Sequence, residues 1–126
     1  MACIFTDRGD VLFIQCHGAL TLEDLLACVQ QCERFDATRS DTAHHLIDFT
    51  AVQQFEIGFD EMNIVTARCN SRICRNPIRC AVVAQRPLAI GFARMFELLI
   101  NHPRIEIRVL RSCDDALAWF GRHSGS

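Results

Sequence analysis

The 126-residue sequence contains no tyrosine and no lysine, so that all 13 of its basic residues are arginine. A genome-wide codon bias explains both absences without reference to function. The sequence also has no apolar run approaching the roughly 18 residues that a membrane-spanning helix needs. Its first ten residues, MACIFTDRGD, lack the basic-then-apolar layout of a signal peptide. We therefore expect a cytoplasmic protein with no membrane span.

Motifs for catalysis and cofactor binding are also missing. The six glycines are isolated from one another, so no G-x-S-x-G, P-loop or G-x-G-x-x-G pattern can be drawn. None of the cysteines forms the C-x-x-C pair that structural zinc sites favour, and neighbouring histidines such as His44 and His45 face opposite sides of a strand. We expect no enzymatic activity, no cofactor and no metal.

Eight cysteines would suggest a disulfide framework in a small secreted chain, but without an export signal we expect free thiols. Cys28, Cys32, Cys69 and Cys80 fall at core positions, where a thiol acts as a small hydrophobe. Cys113 is the exception. It falls at the start of the last predicted helix, where the helix dipole and Arg111 can lower a thiol pKa, so it is a candidate reactive thiol. The alternative is a small buried residue at a helix start.

The net charge of −2 conceals a separation of charge along the chain. Residues 1–61 hold eleven acidic residues against three arginines, whereas residues 62–96 hold six arginines and no acid. This separation favours partner choice or self-association over generic nucleic-acid binding.

Alternating strand and helix signals predict a single α/β domain over residues 1–121, with a disordered tail at 122–126. The sheet is expected to be mixed, mostly parallel and five-stranded, with about four helices in the order ββαβαβαβα. The nearly continuous apolar run Ile78–Ala84 indicates a strand covered on both faces. The predicted strands are Ala2–Thr6, Val11–His17, His44–Thr50, Ile78–Ala84 and Ile105–Val109. The predicted helices run from Thr21 to Phe35, Phe59 to Arg75, Pro87 to Ile100 and Ser112 to Phe120.

Two segments resemble the bacterial SpoIIAA-like family, whose members are related to STAS domains. They are Gly91–Glu97 (GFARMFE) and Arg108–Ser112 (RVLRS), the latter leading into Asp115–Phe120 (DALAWF). The resemblance implies a small mixed sheet flanked by helices, a dimer, and no established chemistry. STAS domains that regulate sigma factors carry a phosphorylated hydroxyl at the start of the helix after the third strand. Ile57 and Gly58 occupy that region here, so we expect no phosphorylation switch.

Two surfaces are candidates for contact with a partner. Arg68, Arg72 and Arg75 recur at helical spacing, so their charges repel unless an anion answers them; the candidate is the acidic first helix of another copy. The alternative is a solvated helix face softened by Glu61. The third helix is apolar over more than half its circumference, with Leu88, Phe92, Met95, Phe96, Leu98 and Leu99 in or near its core arc. Ile90 lies outside that arc, beside Arg94 and Glu97, which can pair with each other.

Two functions stay open at this point. The first is a non-enzymatic protein-interaction or regulatory domain, homodimeric, that uses the third helix and the arginine face. The second is a carrier or sensor of a small hydrophobic or amphipathic anion, an idea supported by the fold relationship between this family and lipid-carrying domains of the Sec14 type. Its tail would lie against Phe59, Met62, Phe92 and Phe96, and its head near an arginine.

Overall fold

The computed structural model describes residues 2–124 and contains nine elements in the predicted order. The strands are β1 (Cys3–Asp7), β2 (Val11–Thr21), β3 (His44–Glu56), β4 (Ile78–Val83) and β5 (Ile105–Leu110). The helices are α1 (Leu22–Ala37), α2 (Phe59–Asn70), α3 (Pro87–Leu99) and α4 (Cys113–Ser124). This confirms the single mixed α/β domain.

The five strands lie in the sheet in sequence order, β1-β2-β3-β4-β5. β1 pairs with β2 antiparallel, and every later pair is parallel. The hairpin between β1 and β2 closes through an Arg8 N–H that donates to the Val11 carbonyl at 3.0 Å. Gly9 takes the left-handed φ of 79° that a two-residue hairpin turn requires.

The helices cover the two faces of the sheet unequally. α1, α2 and α3 pack on one face, around a core that includes Leu20, Val52, Met62 and Val82. α4 alone covers the other face, through Ala116, Trp119 and Phe120 against Phe13 and Leu46. β4 alternates between the two cores and is almost fully buried, as expected for a strand covered on both faces.

Several element boundaries differ from the prediction. β2 and β3 continue to Thr21 and Glu56, because their pairing contains two register shifts that interrupt the alternation of apolar residues. Gly18, with φ of 71°, lies at one of these shifts. α4 continues to Ser124, four residues beyond the predicted end at Phe120, and residues 125–126 of the predicted tail lie outside the described residues.

No helix within residues 2–124 is both long enough and apolar enough to cross a membrane.

Candidate functional site

Arg68, Arg72 and Arg75 do not share the face of one helix, as the sequence predicted that they would. α2 ends at Asn70, so Arg72 and Arg75 lie in the connection to β4 and only Arg68 is helical. The helix ends there because Asn70 is held by the end of α3. Its side-chain amide donates to the Leu99 carbonyl at 3.2 Å, and its side-chain oxygen accepts from the Asn101 N–H at 2.6 Å. These tertiary contacts override the helical spacing of the arginines.

All three arginines contact α1 of the same chain. Arg68 forms a two-pronged pair with Glu33, whose shorter contact is 2.7 Å. Arg72 pairs with Asp36 at 2.5 Å, and Arg75 donates to the Asp36 carbonyl at 2.7 Å. The chain's own α1 therefore supplies acceptors for all three arginines, so these contacts do not require the acidic first helix of a second copy.

The Arg72–Asp36 pair is buried, with side-chain exposures of 6% and 11%. Burial raises the pKa of Asp36, and the charge and hydrogen bond of Arg72 partly oppose that shift. Arg75 adds two hydrogen bonds to carbonyls at the end of α1, those of Asp36 and Arg39. Such bonds satisfy the orphan carbonyls that every helix leaves at its C-terminus. The contacts of Arg72 and Arg75 thus hold the end of α1 against the connection between α2 and β4.

The third helix presents its apolar residues on two sides. Ala89, Phe92 and Ala93 are buried against the sheet, and Phe96 is half-buried. Leu88 and Leu98, which we expected in or near the core arc, are 68% and 82% exposed. The small residues Ala89 and Ala93 let the helix approach the sheet closely, so the core arc is centred on them rather than on the leucines. Arg94 pairs with Glu97 at 3.3 Å, as expected.

Leu88, Gly91, Met95 and Leu98 follow each other at spacings of three, four and three residues. At 100° per residue they fall within an arc of about 80°, beside the arc of the buried residues. Leu88, Gly91 and Leu98 are exposed, whereas Met95 is half-buried and packs against the core. We call these four residues the α3 stripe. On α2, Phe59 is 60% exposed whereas Met62 is fully buried, so only Phe59 of these two predicted contact residues reaches the surface.

A cavity of about 60 Å³ lies between the sheet and the three helices. Its lining is mostly apolar and includes Cys16, Cys32, Phe92 and Phe96. Two polar side chains also line it, Arg72 and His45. Three of the predicted contact residues, Arg72, Phe92 and Phe96, therefore share this core cavity, which Phe59 and Met62 do not line.

Sequence reasoning missed His45 as a cavity residue. Its side chain is buried, and among the described residues its Nε2 atom has no hydrogen-bond partner. Burial lowers the pKa of His45 to about 3, so the ring is neutral at ordinary pH. The available signal was strand parity, since His45, Ile47 and Phe49 alternate along β3 and all three line the cavity.

Cys113 begins α4 as predicted, but its pKa is not lowered. Burial and the nearby carboxylate of Asp48 raise the pKa of this thiol, which donates to Asp48 Oδ2 at 3.7 Å. The pKa shift of Cys113 is thus opposite to the one expected from the helix dipole and Arg111. Cys28, Cys32, Cys69 and Cys80 lie in the core as predicted. Within residues 2–124, no cluster of three or more histidine, cysteine, aspartate or glutamate residues is arranged to hold a metal ion.

The unequal helix cover and the sequential sheet define a SpoIIAA-like fold. A crystal structure from Shewanella loihica PV-4, described as an uncharacterized protein from the DUF3478 family with a SpoIIAA-like fold, aligns with a TM-score of 0.61 at 20% identity. The alignment covers 94% of this chain and 91% of that one. The fold implied by the sequence resemblance is thus confirmed. No protein-family model matches the sequence, and no curated protein matches it.

The buried ion pair leads to a first prediction. Arg72→Gln leaves Asp36 buried without its charge partner, which should cost about 3–5 kcal/mol of unfolding free energy in urea titrations at neutral pH. Arg68→Gln, at the exposed Glu33 pair, is the matched control and should cost little. Without Arg72, the pKa of Asp36 should rise further, because the charge that opposed the effect of burial is gone. The buried carboxyl group destabilises the fold when it is ionised, and this cost is removed when the group is protonated at lower pH. The penalty should therefore shrink as the pH falls, and an equal penalty for both variants would contradict this account.

His45 leads to a second prediction. The unfolded chain protonates this imidazole near pH 6.5, whereas the folded chain does so only at about 3. Stability is therefore lost as pH falls through this interval. His45→Leu should flatten the dependence of unfolding free energy on pH, and His17→Leu, at an exposed histidine, should leave the slope as in the wild type. Equal slopes for the two variants would show that His45 is not excluded from protonation.

Proposed function

We propose that this chain is a non-enzymatic protein-interaction or regulatory domain that forms a homodimer through the α3 stripe. The observation that carries the proposal is the exposure of Leu88 and Leu98 on a helix whose other face is already packed. Exposed apolar side chains aligned along one helix face are typical of contact surfaces. The arginines support this choice indirectly, since Arg68, Arg72 and Arg75 already have acceptors inside the chain.

The order of residues in the stripe suits pairing with a second copy. Leu88 and Leu98 are equally far from Ala93, and so are Gly91 and Met95. An antiparallel two-fold axis that crosses the exposed side of the helix at the height of Ala93 therefore sets Leu88 against Leu98 of the second copy, and Gly91 against its Met95. A Cβ added at Gly91 would meet nothing within 4 Å, so the space above this glycine is open to a methionine side chain. Such self-complementarity is what an isologous dimer interface requires.

A role as carrier or sensor of a small apolar ligand is the second candidate, and the unpartnered His45 Nε2 in the core cavity favours it. A ligand with an apolar body and one hydroxyl or carboxyl group would match this lining. The small volume of the cavity makes the carrier function the second candidate and not the first. The cavity of about 60 Å³ is less than half the roughly 150 Å³ that admits benzene in an engineered protein core. Carriage therefore requires the helices to move apart.

Native mass spectrometry tests both candidates in one measurement. The interaction proposal predicts a dimer without adduct for the wild type and a monomer for Leu98→Asp, because a buried carboxylate facing leucine is strongly disfavoured. Ile73→Asp is the matched control, since Ile73 is an 88% exposed apolar residue in the α2–β4 connection, outside the stripe. It should leave the dimer intact.

Three other results would overturn the dimer proposal or favour the carrier function. A wild-type monomer, or a Leu98→Asp variant that remains dimeric, would overturn the assignment of the α3 stripe. A monomer that carries a small-molecule adduct, and loses it in His45→Leu, would favour the carrier function instead.

A further inference from the structure

Two cysteines face each other across the edge hairpin. Cys3 on β1 lies opposite Cys16 on β2, and their Sγ atoms are 3.3 Å apart. The neighbouring pair, Ala2 and His17, is joined by a hydrogen bond from the His17 N–H to the Ala2 carbonyl. Since such bonds alternate along an antiparallel ladder, Cys3 and Cys16 form a non-hydrogen-bonded pair, the type that brings side chains closest together.

This geometry allows a disulfide with little movement. Non-hydrogen-bonded partners have Cα atoms about 4.5 Å apart, within the range of about 4.4–6.8 Å that disulfides span. The sulfur atoms must close from 3.3 Å to about 2.05 Å. Side-chain rotation can supply a shift of about 1 Å without a change in strand register.

Cys3 is also the thiol of this pair that lines a surface cleft. A cleft of about 250 Å³ lies between β1 and α1, and its lining includes Cys3, Cys28, Asp24 and Arg34. Cys16 does not line the cleft and is almost completely buried behind Cys3. A small reagent that enters the cleft therefore meets Cys3 before Cys16.

The hydrogen bonds of the thiols favour charge on Cys3. Hydrogen bonds with the Cys16 and Cys28 thiols lower the pKa of Cys3, although burial opposes them. The pKa of Cys16 is raised, first by its hydrogen bond with Cys3 and then by burial. The thiolate is the nucleophilic form of cysteine, so the sulfur lining the cleft is also the one suited to attack.

We propose that Cys3 and Cys16 form a peroxide-reactive thiol–disulfide pair, in which Cys3 is the attacking sulfur and Cys16 the resolving one. The Cys3 thiolate attacks one oxygen of hydrogen peroxide, the O–O bond breaks, and the departing hydroxide takes a proton to become water. This leaves a sulfenic acid on Cys3. The Cys16 sulfur then attacks the Cys3 sulfur, the S–S bond forms, and the S–O bond breaks with release of a second water that carries away the Cys16 proton.

The net reaction oxidises two thiols and reduces one peroxide to two water molecules. Two molecules of a low-molecular-weight thiol then reduce the Cys3–Cys16 disulfide by exchange: the S–S bond breaks, the two molecules become joined as a disulfide, and their protons pass to Cys3 and Cys16. In the oxidised state the edge strand β1 is covalently joined to β2. This site lies at the β1 edge of the sheet and does not depend on the function proposed for α3.

The absence of lysine makes the site simple to map. Trypsin cuts this chain only after arginine, so residues 1–8 form a peptide with Cys3 as its one cysteine, and residues 9–34 form a peptide with Cys16, Cys28 and Cys32. The reduced wild-type protein is treated with hydrogen peroxide, its remaining thiols are blocked with N-ethylmaleimide, and the digest is analysed by mass spectrometry. We expect the two peptides to become linked through Cys16, and dithiothreitol to separate them.

The rate and the variants complete the test. Linkage should form at least about ten-fold faster than oxidation of Cys80, which is buried in the core and does not line the cleft, because thiolate character and access control reactivity. Cys16→Ser should abolish the link and leave a Cys3 sulfenic acid that dimedone traps, whereas the matched variant Cys28→Ser should keep the link. A link to Cys28 or Cys32, loss of the link in Cys28→Ser, or oxidation of Cys3 no faster than Cys80 would overturn the proposal. The wild type and Cys28→Ser alone decide between these outcomes, so the test stays conclusive even if Cys16→Ser does not fold.

Discussion

The buried pair of Arg72 and Asp36 holds the helical layer together at one end of the sheet. Arg72 lies in the α2–β4 connection, which contacts both neighbouring connections. On one side Asn76 exchanges two hydrogen bonds with the backbone of Thr42, before β3. On the other side His102, before β5, contacts the Arg72 carbonyl at 2.6 Å. A buried ion pair tolerates little displacement, so it fixes the position of α1 relative to this connection.

The ion pair, the proposed contact surface on α3 and the cysteine pair of the edge hairpin involve different residues. Arg72 also lines the core cavity, so the side chain that pairs with Asp36 forms part of the wall of that space. Arg68 and Arg75 form hydrogen bonds within the chain. The exposed side chains proposed to contact a partner are instead apolar, among them Leu88 and Leu98. The sheet's edge hairpin carries a different chemistry, since Cys3 and Cys16 face each other there at a non-hydrogen-bonded position. The buried ion pair, the proposed contact surface on α3 and the proposed thiol pair thus lie at three distinct places in the fold.

Local patterns predicted the order and type of all nine elements, because hydrophobic periodicity and capping residues are encoded close together in the chain. Thr21 and Asp24 form the expected capping box of α1, for example. Features set by contacts between distant residues were missed. Asn70 ends α2 through α3, register shifts lengthen β2 and β3, and Asp48 raises the pKa of Cys113. The opposition of Cys3 and Cys16 follows from a hairpin register that local patterns do not specify.

A double-mutant cycle on Asp36 and Arg72 tests the central claim most directly. Unfolding free energies are measured in urea for the wild type, Asp36→Asn, Arg72→Gln and the double variant. The account predicts a coupling of about 2 kcal/mol or more, with the double variant more stable than Arg72→Gln alone, because removing both charges costs less than leaving one buried. Additive effects of the two substitutions would show that these residues do not act as a pair and would contradict the account.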